Sequence, residues 1–148
     1  MIQRVQSVWL LLAAVFAFLY TRVPIYTTTV VGNVVRKYLP TESLLLFAVS
    51  IAVGLLAAAC IFLFKNRALQ FRLSIIGLLA SIGMIALEVW QVSEFKAAGV
   101  LQNTDNALVK GSYSWGALLP IAMCVFFWIA ASKIRKDQKL IKSLDRLR

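Results

Sequence analysis

The chain has 148 residues, 61% of them hydrophobic, and a mean hydropathy of +0.82. Nearly every residue is therefore spent on apolar runs and their connections, which leaves one domain and no room for a soluble enzyme core. Sixteen Lys and Arg against six Asp and Glu give a net charge of +10, a balance that often points to nucleic acid, but here the placement of the charge matters more than its size.

Four apolar stretches, Val5–Val23, Ser43–Phe64, Leu73–Val92 and Tyr113–Ser132, are each close to the roughly 20 residues an α-helix needs to cross a hydrocarbon core about 30 Å thick. A backbone in lipid must satisfy its own hydrogen bonds, so these runs predict an all-α membrane protein, a bundle of four transmembrane helices. The first run follows Arg4 and has the look of a signal peptide. It is too long for a usual h-region and no small-x-small site follows it, so it reads as a retained span. Pro24 should end that helix near Val23. Beyond it, Ile25 to Val31 and Val34 to Tyr38 have strand composition on either side of a Gly32-Asn33 turn signal. A β-hairpin outside the membrane is expected. Pro40, Thr41 and Glu42 suit the opening of the second helix.

The connection from Lys65 to Arg72 is so short that the second and third spans must run antiparallel. Ser50, Gly54 and Ala58 recur every four residues on one, and Ser74, Gly77 and Ser81 share a face of the other; small residues in such seams predict close contact between these two helices. In the next outer segment, Gly99 to Gln102 and Ala107 to Lys110 flank a polar Asn103-Thr104-Asp105-Asn106 turn. A second, weaker hairpin and a small shared outer sheet are expected, with two plain loops as the alternative. Pro120 lies inside the fourth run and predicts a kink near its outer end. From 133 to 148, Ile134, Leu140, Ile141, Leu144 and Leu147 fall near helical spacing among seven Lys and Arg. This is a basic amphipathic tail, either continuing the fourth span or lying on an anionic leaflet.

Positive charge collects at one set of helix ends. Arg4, Lys65, Arg67, Arg72, Lys133, Arg135, Lys136, Lys139, Lys142, Arg146 and Arg148 lie on one side, against Arg22, Arg36, Lys37, Lys96 and Lys110 on the other. By the positive-inside rule both termini and the Lys65–Arg72 loop are cytoplasmic. The basic residues of the 65–72 loop and the tail are candidate contacts for anionic lipid or for a membrane-protein partner. No aromatic residues interleave with them, so nucleic acid is not an expected partner.

Histidine is absent, and no metal-ligand cluster, phosphate-cradling glycine loop or Ser/His/Asp set is present, so neither enzyme nor cofactor chemistry is expected. Cys60 and Cys124 sit at different depths of two spans that run in the same direction and read as small buried hydrophobes. The one ionisable residue well within a span is Glu88, about a turn below the outer end of the third. An intramembrane carboxylate is costly and calls for a partner. Arg22, at similar depth, is the expected one, forming a structural ion pair. Tyr20, Tyr26, Trp90, Tyr113 and Trp115 cluster near the outer boundary as expected of an aromatic belt. The leading function is then an accessory or scaffolding subunit of a membrane assembly. The alternative is a small transporter or channel using Glu88 in an outward-facing cavity.

Three segments carry a family resemblance: the opening MIQRVQSVWLLLAA, the loop FKNRALQFRL and the closing IRKDQKLIKSLDRLR. They resemble the corresponding segments of an uncharacterised family of four-span membrane proteins of Bacteroidota, catalogued as domain of unknown function 4293. The resemblance runs end to end and implies a Gram-negative inner-membrane protein. It carries no catalytic residue to transfer.

Overall fold

In the computed structural model the described residues are 3–30, 34–63, 66–102 and 110–145. Four α-helices and a three-stranded sheet are the main elements of the described residues. Helix α1 spans Gln3–Tyr20. Its end is tightened by three successive i to i−3 bonds, from the amides of Thr21, Arg22 and Val23 to Phe18, Leu19 and Tyr20, before Pro24 turns the chain away as expected. Strands β1 (Tyr26–Val30) and β2 (Val34–Tyr38) follow as an antiparallel pair, in register from Tyr26 opposite Tyr38 to Val30 opposite Val34. The expected hairpin is present; its Gly32-Asn33 turn lies outside the described residues.

A 3₁₀ turn over Pro40–Glu42 leads into helix α2, Leu44–Phe62. The Ser43 hydroxyl caps α2 by accepting from the Leu46 amide at 3.4 Å. Helix α3, Arg67–Gln102, is capped by the Asn66 side chain, which accepts from the Leu69 amide at 3.3 Å. Strand β3 (Lys110–Tyr113), a 3₁₀ turn over Trp115–Leu118 and helix α4 (Leu119–Asp145) complete the chain. The sheet order is β2-β1-β3, with Tyr113 opposite Tyr26 and Lys110 opposite Thr29.

Three expectations are corrected here. Among the described residues there is no second hairpin: Gly99 to Gln102 belongs to α3, and β3 instead adds singly to the free edge of β1; the expected turn from Asn103 to Asn106 lies outside the described residues. Pro120 does not kink a span. It occupies the first turn of α4, where a missing amide hydrogen leaves no intrahelical bond unmade. Of the small-residue seams, Ser74 does meet α2 at the Cys60 thiol, but the two glycines face other helices. A side chain at Gly54 would meet Ala17 and Phe18 of α1, and one at Gly77 would run into the Phe127 ring of α4.

α1 packs against α2 and α4, and α3 against the same two. Leu10, Ala13 and Ala17 of α1, Leu46, Val53 and Ala57 of α2, Met84 of α3 and Met123, Phe127 and Ala130 of α4 form the buried core. Leu11, Val15, Leu55, Ile76, Leu79, Ile82, Ile121 and Trp128 point outward instead. So much exposed apolar surface on every helix suits a hydrocarbon surrounding and not water. Leu44–Phe62, Arg67–Ala97 and Trp115–Leu140 are long and apolar enough to cross a membrane, and Ser7–Tyr20 is a shorter apolar helix. The 36 residues of α3 are about 54 Å long at about 1.5 Å per residue, well beyond a hydrocarbon core of about 30 Å. Part of the excess, from Ser93 onward, lies on the sheet side. There Phe95 packs on Tyr26 and Tyr38, and the Lys96 ammonium stands 4.8 Å from the Tyr26 ring centre and 4.9 Å from that of Tyr113.

Candidate functional site

One face of α3 carries half of the buried polar groups of the described residues. Gln70, Ser74, Ser81 and Glu88 fall on that face together with Gly77 and Met84, and all six are buried. Gln70 and Glu88 are 18 residues apart, about five helical turns, so the face runs straight along the helix. At its lower end the Gln70 side-chain amide donates to the Cys60 carbonyl at 3.1 Å. Ser74 and Ser81 return their hydroxyls to the carbonyls of Gln70 and Gly77, at 2.9 and 2.8 Å. Each is thereby satisfied within its own helix, at little cost to burial. Between them Gly77 leaves the space that the Phe127 ring fills.

At the upper end Glu88 is 4% exposed. Its Oε2 accepts a hydrogen bond from the Tyr20 hydroxyl at 3.2 Å. Arg22, the expected partner, is exposed on the turn after α1, and the ion pair does not form. Depth alone put Arg22 and Glu88 at one level, but two residues along a helix rotate a side chain by about 200°. Tyr20 continues the inward face set by Leu10, Ala13 and Ala17, whereas Arg22 lies past the helix end with its side chain exposed. A neutral phenol also satisfies a buried carboxylate without a second charge being desolvated. One turn above, the Tyr38 hydroxyl reaches Gln91 Oε1 at 3.5 Å. The spacing 70, 74, 81, 88 was the sequence signal for this stripe, and the 10, 13, 17, 20 spacing the signal for Tyr20.

The aromatic belt divides. Trp90, Tyr113 and Trp115 are exposed, but Tyr20 and Tyr26 belong to the core. Cys60 and Cys124 are both free. Among the described residues no three His, Cys, Asp or Glu come together to hold a metal ion.

The second locus is at the opposite end. The Gln138 side-chain amide donates to the Arg67 carbonyl at 2.9 Å, which ties the last turns of α4 to the first turn of α3. Helix α4 continues without a break through the basic segment to Asp145, with Ile134 and Asp137 turned inward. Of the two readings of the tail, continuation of the fourth helix is the one observed. Arg67, Arg72, Lys133, Arg135, Lys136 and Lys139 are thus gathered at one end, all exposed except the half-buried Arg67. Lys65, Arg146 and Arg148 lie outside the described residues, as does the side chain of Lys142. The sheet, with Arg36 and Lys37 exposed on β2, occupies the other end.

A family model described as a domain of unknown function, DUF4293, matches residues 2–147. Comparison with curated proteins and with solved structures returns no match.

Proposed function

The chain belongs to the DUF4293 family, and from that premise we propose that it is a non-catalytic multi-pass protein of a bacterial inner membrane, an accessory or scaffolding subunit of a membrane assembly. In this reading all four helices cross the bilayer and both termini are cytoplasmic. The sheet is periplasmic, and the basic end faces anionic lipid and a membrane-protein partner. The observation that carries it is the junction of α3 and α4 at the Gln138 to Arg67 bond, which holds together the helical stretches that bear the basic side chains, where a topology-setting flank would need no order at all. Mild-detergent purification from the native membrane after cross-linking tests it. A reproducible partner cross-linked through the basic end is expected; a solitary monomer would contradict the scaffolding role.

The polar stripe of α3 supports a second reading, a small proton- or cation-conducting protein in which Glu88 is the binding carboxylate. The stripe supplies the line of polar groups that one carboxylate alone lacks. Against it, Met84 separates Ser81 from Glu88 and Phe127 fills the space at Gly77. Proteoliposome flux decides the matter: a flux abolished by Glu88→Gln would favour transport, and none in the unaltered protein would dismiss it.

A further inference from the structure

Two contacts fix how α3 and α4 slide against each other. Gln138 bonds to Arg67, and Phe127 covers Gly77; the first pair sums to the same register as the second within one residue, as antiparallel helices require. Five residues inward from that junction on each helix, Arg72 and Lys133 therefore lie at the same level, about 7.5 Å nearer the middle of the molecule. Both are exposed. They are also the innermost charged side chains on the outward surfaces of their helices: beyond them come Ile75, Ile76 and Leu79 on α3, and Trp128 and Val125 on α4. No acidic residue occurs on α3 before Glu88, and on α4 Asp137 is turned inward.

We propose that Arg72 and Lys133 form a binding site for the phosphodiester headgroup of an anionic phospholipid, with its acyl chains lying along the exposed apolar surface of α3 and α4. The level is that of the change from charged to apolar surface, where headgroup phosphates lie. Long basic side chains at such a boundary extend toward the phosphates while their stems stay on apolar surface. Arg135, Lys136 and Lys139, on the following turns, add to the field that favours a net negative lipid over a zwitterionic one. A guanidinium can grip two phosphate oxygens at once, and a lysine beside it supplies a second charge. The inference rests on the part of the proposed function in which α3 and α4 cross the bilayer, and on neither the orientation nor the scaffolding role.

The test reconstitutes the full chain in nanodiscs of equal phosphatidylglycerol and phosphatidylcholine and reads which lipids stay with the protein on release. Phosphatidylglycerol should be enriched. The double change Arg72→Gln with Lys133→Gln should reduce its relative retention by roughly 25-fold, which is about 2 kcal/mol for two basic residues near an anionic surface converted at about 1.4 kcal/mol per decade. Exchanging the two, Arg72→Lys with Lys133→Arg, should keep most of the enrichment, and so should Arg36→Gln with Lys37→Gln at the sheet. Unchanged enrichment in the first double variant would overturn the site, as would no preference in the unaltered protein or adducts of free phosphate without lipid. Failure to insert into nanodiscs of phosphatidylcholine alone would instead refute the membrane-crossing reading, so the two failures are separable.

Discussion

At the scale of single residues, Tyr20 and Glu88 are a matched pair whose value lies in satisfying each other. Removing one partner leaves a buried polar group unmatched, while replacing both by apolar groups of similar shape can be nearly neutral. Tyr20→Phe should therefore lower stability by about 1–3 kcal/mol, and much of that loss should vanish when Glu88→Leu is added. Thermal melts of the single and double variants in one detergent check this; losses that simply add would mean that the 3.2 Å contact carries no coupling. The glycines offer a second residue-scale prediction. A methyl group at Gly83 meets nothing within 4 Å, at Gly54 it comes to 3.3 Å from Ala17, and at Gly77 it runs into the Phe127 ring. The Ala variants should fall in that order, with Gly77→Ala costing about 1–3 kcal/mol through overpacking and regaining part of it with Phe127→Leu. An equal tolerance at all three sites would show that α3 and α4 are not in this contact.

Among the elements, the sheet and the long end of α3 form one unit, stitched by Phe95 and by Lys96 over two tyrosine rings. Tyr38 reports on that unit. Burial, and then the charge of Glu42, push its phenol above the ordinary 10.0, while a hydrogen bond with Ser43 works the other way. A group whose folded value is raised contributes stability that is complete below its unfolded value and is lost as pH climbs through the folded one. The outer unit should accordingly be insensitive to Tyr38 below about pH 10 and loosen above it. Phenolate absorbance should show a late-titrating component that disappears in Tyr38→Phe; a Tyr38 ionising at the ordinary 10.0 would contradict its burial. The first hairpin was legible because β-branched residues bracket a turn signal over a short stretch. The overrun of α3 was not: Val100 beside Gly99 suggested a strand, yet Glu94 to Ala97 contains no helix stop and the preceding helix simply propagates. Pro120 misled for a related reason, since apolar character begins at Tyr113 and hid the strand end and 3₁₀ turn that place the proline in a first turn. Composition reports depth well and azimuth poorly, which is also why Arg22 was expected where Tyr20 stands.

For the molecule as a whole, charge is distributed unevenly along the sequence: eleven Lys and Arg fall before the first apolar run, in the 65–72 connection or after the fourth run, and five fall in or beside the other two connections. The rule that orients membrane proteins counts Lys and Arg in short flanking segments and gives Asp and Glu little weight. Uninterrupted continuation of α4 beyond its apolar part makes the basic end an ordered surface and not merely a flank. The central claim is that four helices cross the membrane with this end in the cytoplasm. A reporter active only in the periplasm, fused after Arg148 in one protein and inserted at Asn33 between β1 and β2 in another, tests it most directly. The account predicts activity at Asn33 and none at Arg148. Activity at Arg148 with none at Asn33 would contradict it, and with it the placement of the sheet outside the cell membrane.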